Sequence, residues 1–245
     1  MISSLFHSII FQPFYNGLIF LIDKLPFLDA GIVIVIFTII TKVILLPLSI
    51  KASKAQIEMK SIEKDLQDIK EKHKGDKEQQ TAKTLALYKE KNVNPFAGIF
   101  VLIVQLPIII GIYQVFLKSG LPVINTAWLY SFINVPQEVN MMFLSLTNIA
   151  QKSITLAVIA GITTYLQISL ANKAQGQTQA TGGGMGQDIA KAMAVQMKYV
   201  FPVIVVFISY SISGALALYW ITSNIFSIGQ EIYIRKKYHQ VALVV

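Results

Sequence analysis

The chain has 245 residues, 54% of them hydrophobic and only 14% charged, with a mean hydropathy of +0.58. A soluble domain carries about 25% charged residues, so this composition argues for a membrane protein. Lys and Arg outnumber Asp and Glu by 21 to 13, and the cations crowd beside apolar runs, which suits membrane orientation better than nucleic-acid binding. The absence of cysteine excludes a disulfide framework, a thiolate metal site and a cysteine nucleophile, and three histidines argue against a His-rich metal site.

Residues 1–29 are apolar but lack a basic leader and a small-residue cleavage signature, and Pro13, Asn16 and Gly17 interrupt them. They are expected to form an interfacial helix on the outer face. The first span is predicted at residues 30–50, since about 20 apolar residues cross the hydrocarbon; Lys42 and Pro47 lie inside it.

Residues 51–95 change character, with eleven lysines and eight acids by Val93. Ala55, Met59, Ile62, Leu66 and Ile69 recur at spacings of 4 and 3, and Ala82, Leu85 and Tyr88 form a shorter stripe beyond Gly75. This predicts a cytoplasmic helical hairpin rather than strands. Lys54, Lys60, Lys64 and Lys70 mark its first arm as a surface for a protein partner or lipid headgroups, because the interspersed acids disfavour nucleic acid.

A second span is predicted at 96–117, an outer segment at 118–153, a third span at 154–171 and a flexible, glycine-rich cytoplasmic loop at 172–196. A fourth span at 197–212 and a fifth at 215–230 are joined by a tight turn, and 231–245 form a basic tail. Lysines follow the first span, and Arg235, Lys236 and Lys237 follow the last. Five crossings therefore place the amino terminus outside and the carboxyl terminus in the cytoplasm. The fold class is an all-α membrane protein.

Lys42 is the most informative residue. It stands nine residues, about 13 Å of helix, from Lys51. A charge at that depth costs roughly 2.5–3.5 kcal/mol on insertion scales, so it is expected to face a polar cavity rather than to snorkel. Thr38 and Thr41 lie on neighbouring turns, and Pro47 frees the carbonyl of Val43. Uncharged polar residues punctuate the other spans, among them Gln105, Thr163, Thr164, Gln167, Ser209, Thr222, Ser223 and Asn224. No acid lies within a span, which disfavours an ion-coupled transporter. No HExxH, GxSxG or paired intramembrane Asp is present, so the chain is not expected to be an enzyme. The pattern suggests a hydrated, positively charged groove that attracts carboxylates. A small channel or lipid scramblase using the same groove is the competing class.

The stretches QPFYN, TKVILLPLSIKASKAQ, NPFAGIFVLIVQLPIIIGIYQVF and FPVIVVFISYSISGALALYWITSNIFSIGQ resemble the YidC/Oxa/Alb membrane protein insertases, in their compact bacterial five-span form. The resemblance covers nearly the whole chain. It implies five helices around a groove open to the cytoplasm, in the bacterial plasma membrane, with one cation that is typically arginine and is Lys42 here. Thr38, Gln167 and Trp220 fall where the family places groove or substrate-contact positions. It implies nascent membrane proteins as substrates, with the ribosome as a candidate partner and action either alone or beside the Sec translocon, and no cofactor or metal. Compact relatives often carry a lipoprotein signal ending in cysteine; without that residue, lipid anchoring is not expected.

Overall fold

The structure is a computed structural model that describes residues 6–94, 107, 110, 111, 113–116, 121–175 and 195–242. The second span expected at 96–117, with Gln105, and most of the loop at 172–196 lie largely outside the described residues. What is described is mostly helical. A π-helical turn at His7–Phe11 leads into α1 (Gln12–Lys24), followed by α2 (Ala30–Ser61), α3 (Glu63–Lys72) and α4 (Lys77–Glu90). Two short antiparallel strands, β1 (Met142–Phe143) and β2 (Thr147–Asn148), precede α5 (Ile154–Gln175), α6 (Phe201–Ile212) and α7 (Gly214–Ala242).

Among the described residues, two helices are long and apolar enough to cross a membrane. They are the Ala30–Met59 part of α2, whose most apolar stretch has a mean hydropathy of 2.6, and Ile154–Ala171 of α5, at 1.7; Gln196–Ile212 is apolar but shorter. Only 33% and 28% of their apolar windows are buried within the protein, so neither is wrapped as the core helix of a soluble domain would be. Pro47 sits inside α2 without ending it. The helix continues past the expected end of the first span to Ser61.

The chain divides into two compact units. The first comprises residues 1–45, 103–164 and 202–227. Its core brings together Phe11, Tyr15, Leu18 and Ile19 of the amino-terminal segment with Val33, Ile34 and Phe37 of α2 and Leu216 and Tyr219 of α7. The amino-terminal helix is thus part of this core, and aromatic packing explains why. Phe11 and Tyr15 stack with ring centroids 5.8 Å apart, and Trp128 meets both rings edge-on.

Asn16, 1% exposed, supplies the polar part of the same junction. Its Nδ2 donates to the carbonyls of Gln12 and Trp128, both at 2.8 Å, and its Oδ1 accepts from the Tyr130 amide at 2.7 Å. Asp29 accepts from the Ile32 amide at 2.8 Å, satisfying a donor at the start of α2. The opening amides of α7 are also engaged: Gly214 donates to the Gln151 carbonyl and Ala215 to that of Ile149. Farther along, α5 and α6 meet so closely that a Cβ at Gly161 would lie 2.3 Å from Val206 Cγ2.

The second unit comprises residues 46–102, 165–201 and 228–245. Its described core is the charged hairpin. Ile62, Leu87, Tyr88 and Val93 are buried, with Met59, Leu66 and Ile69 packed against them. Four of the five seam residues expected from the spacing pack here, Ala55 not being among them, and the arm breaks at Ile62, where φ is −101° and ψ 7°. The second arm presents Thr84, Leu87 and Tyr88, whereas Leu85 is exposed. Spacings of 3 and 1 keep that trio on one helical face. The Asp76 side chain caps α4 by accepting from the Gln79 amide at 2.9 Å.

Replacing Asn16 with Ala leaves the Tyr130 amide without its side-chain partner, at about 1–3 kcal/mol, and leaves the Trp128 carbonyl only the longer bond from Gln12 Nε2 at 3.5 Å. Thermal denaturation of the detergent-solubilised protein is expected to show a clear fall in Tm, and an unchanged Tm would contradict this account of the junction.

Candidate functional site

Within the first unit, the exposed and buried residues of the helices are reversed relative to a soluble protein. Along α2, Ile39, Ile40, Val43 and Ile44 are exposed, whereas Thr38 and Thr41 are 0% and 8% exposed. Along α5, Val158, Ile159 and Ile162 face outward while Thr164 is buried; along α6, Phe207 is exposed and Ser209 is not. On α7, Ile225 is exposed beside the buried Ser223 and Asn224. In water this arrangement would be costly on both sides. Against hydrocarbon the apolar groups meet lipid and most of the inward polar groups find partners inside, Ser209 Oγ being buried without one among the described residues.

Those partners can be named. Thr38 Oγ1 donates to the Ile34 carbonyl at 2.7 Å and Thr41 Oγ1 to that of Phe37 at 2.9 Å, so both hydroxyl protons are satisfied within their own helix. Asn224 Nδ2 donates to Thr164 Oγ1 at 2.8 Å and to Thr163 Oγ1 at 3.2 Å, bridging α7 to α5. Each threonine hydroxyl in turn donates to the Ala160 carbonyl.

Lys42 is half-buried on the same face of α2 as Thr38, one turn farther on. Its Nζ donates to Ser227 Oγ at 3.1 Å. Among the described residues, no carboxylate stands within ion-pairing distance of Lys42. The first unit's acids are Asp23, Asp29 and Glu138. Asp23 pairs with Lys24 at 3.0 Å, and Asp29 lies thirteen residues, about 20 Å of helix, before Lys42. An ammonium with one neutral hydroxyl partner keeps most of its attraction for an incoming anion.

Trp220, Asn224 and Ser227 recur at spacings of 4 and 3, one face of α7. Trp220 packs against the unit's apolar core. The unit therefore contains Lys42, Thr38, Thr41 and Trp220 of the residues singled out from sequence. Gln167 belongs to the second unit, half-buried on α5, and Gln105 lies outside the described residues. Ser227, the partner of the cation, was not among the sequence candidates. Its place one helical repeat beyond Trp220 was the available signal.

In the second unit, Gln230 Nε2 donates to Ser49 Oγ, and Ser53 Oγ donates to Glu231 Oε2 at 3.4 Å. Glu231 also pairs with Arg235 at 3.1 Å, and Arg235 Nη2 donates to the Leu170 carbonyl. Glu231 is thereby occupied by its own helix. Of the hairpin lysines, Lys64 is exposed, while Lys54 and Lys70 are half-buried, and burial pushes the Lys70 ammonium below its ordinary pKa. Lys60 lies near the end of α2. Among the described residues, no cluster of three or more His, Asp or Glu could hold a metal ion.

The sequence model of the family described as 60Kd inner membrane protein matches residues 22–241. Relatives include a protein from Fusobacterium nucleatum, 33% identical over 84% of this chain and 86% of its own length. Another, from Clostridium tetani, is 32% identical over 86% of this chain and 84% of its own length. Each is named membrane protein insertase YidC. A protein from Listeria innocua, membrane protein insertase YidC 2, is 30% identical over 84% of this chain and 63% of its own length. The chain belongs to the 60Kd inner membrane protein family, a family of membrane proteins.

Replacing Asn224 with Ala removes the α5–α7 bridge but leaves both threonine hydroxyls their bonds to Ala160. The expected destabilisation is therefore modest, about 0.6 kcal/mol, near the average for such bonds in membranes. Unfolding in mixed micelles checks this, and a loss several times larger would mean that Asn224 has a further buried task.

Proposed function

We propose that the chain is a membrane protein insertase in the bacterial plasma membrane, with the cation at Lys42 as its working group. Five helices crossing the bilayer, with the amino terminus outside and the carboxyl terminus in the cytoplasm, form a hydrated groove around it. The observation that carries this reading is a half-buried ammonium without a carboxylate partner among the described residues, on a helix that turns Thr38 and Thr41 inward and Ile39, Ile40 and Ile44 outward. The insertase names of the relatives support it.

The mechanism is thermodynamic. Moving a short polar tail across about 30 Å of hydrocarbon is opposed by desolvation of its charges and amides. A wet groove shortens the dry part of the path. Lys42 attracts the tail's carboxylates, Thr38 and Thr41 on the same helix add polar atoms to its surroundings, and Trp220 meets the apolar part of the substrate; Gln105 and Gln167 are the further polar groove candidates that the sequence offers. Burial of the substrate's own apolar segment in lipid then drives the step to completion at about 25 cal/mol per Å². No bond is made or broken, and no cofactor takes part. The hairpin, through Lys54, Lys60, Lys64 and Lys70, receives the nascent chain or the ribosome, with the Sec translocon as a further partner.

Lysine in place of arginine preserves the charge but loses the planar fork that binds a carboxylate through two parallel bonds. Lys42→Arg is therefore expected to retain insertion in reconstituted proteoliposomes. Lys42→Ala should lower insertion of acidic-tailed single-span substrates about tenfold, equivalent to about 1.4 kcal/mol, with little effect on neutral tails. Equal activity of Lys42→Ala on both classes would overturn the electrostatic role. Ion or lipid flux without substrate would favour a channel or scramblase. Ser227→Asp places a carboxylate beside the ammonium and should mimic Lys42→Ala; full activity on acidic tails would show that the ammonium need not be free.

A further inference from the structure

The turn between β1 and β2 carries residues that its backbone does not favour. Leu144 and Ser145 have φ of 50° and 58°, and the Leu146 amide donates to the Phe143 carbonyl at 2.9 Å. Residues 143–146 thus make a β-turn with both central positions left-handed. Such turns favour Asn-Gly, because a Cβ is strained at positive φ. Here the strained leucine is not buried in the fold: Leu144 is 53% exposed and Leu146 81%. A pair of exposed leucines in a costly backbone contributes nothing to the protein's own core.

The position of the tip identifies what it meets. The Leu144 amide donates to Asp29 Oδ2 at 3.1 Å, and the Ala30 amide donates to the Asn140 carbonyl at 2.8 Å. Phe143 lies so close to α2 that a Cβ on Gly31 would be 2.3 Å from its ring. The hairpin is therefore fastened to the first turn of α2, where the apolar window of that helix begins at Ala30. A helix that crosses the bilayer from its first apolar turn sets that turn at the boundary between hydrocarbon and headgroups. Phe27, 78% exposed, lies in the connection leading to Asp29. Lys24, ion-paired with Asp23 at 3.0 Å, is exposed five residues before Asp29.

We propose that the Leu144–Leu146 tip is seated in the phospholipid leaflet at this end of the protein, with its leucines at the glycerol and upper acyl level. The proposal rests on the chain's place in a membrane and is independent of the role of Lys42. Because the sequence has no cysteine, Leu144→Cys or Leu146→Cys gives a single labelling site on the full chain. A fluorophore there, in vesicles of phosphatidylglycerol and phosphatidylcholine, is expected to be quenched at least about twofold more by lipid spin-labelled near the headgroup than a fluorophore on Gly75→Cys in the hairpin turn. Aqueous iodide should give the reverse order. Should a leucine variant fail to fold, Ser145→Cys reports on the same tip. Iodide quenching equal to that at Gly75, without lipid quenching, would overturn the proposal. Protection from iodide without lipid quenching would overturn it too, since a second copy of the chain would then cover the tip.

Discussion

Everything described in the first unit depends on the solvent that its helices face. Hydrocarbon offers no hydrogen bonds, so each hydroxyl and amide on a spanning helix must be satisfied by the protein. Thr38 and Thr41 meet that demand within α2, whereas Asn224, Thr163 and Thr164 meet it between helices. The isoleucines pointing outward are the other half of the same arrangement. Lys42 is less fully met: its hydroxyl partner takes up one donor of three, which leaves the ammonium with polar demand that the described residues do not meet. A tail rich in carboxylates is the kind of molecule that meets such a demand.

Much of this was legible in the sequence, for physical reasons. The apolar run before Lys51 dictated a helix, and the 4–3 spacing of Met59, Ile62, Leu66 and Ile69 dictated the packed seam of the hairpin. The register of the second arm was less legible, because Ala82, Leu85 and Tyr88 satisfy the same periodicity as Thr84, Leu87 and Tyr88. Only packing against Ile62 and Met59 separates the two choices, and it buries a threonine while exposing a leucine. The amino-terminal segment was obscured by its breakers. Asn16 reads as an interruption in sequence, yet it is the residue two of whose hydrogen bonds join that segment to residues 128–130.

The candidate site was legible in its charge and not in its partner. A lysine inside an apolar run is conspicuous from composition alone. Ser227 is not, since serine is unremarkable near the end of a long helix, and its role depends on a contact 185 residues away in sequence. The same difficulty applies to Ser49 and Gln230, which meet through a hydrogen bond that no local pattern announces.

The close approach of α5 and α6 makes Gly161 a spacer. A Cβ there would lie 2.3 Å from Val206 Cγ2 and 3.1 Å from the Pro202 carbonyl, so any larger residue must displace Val206 or push the two helices apart at that level. The absent side chain at Gly161 therefore sets the distance between the two helices.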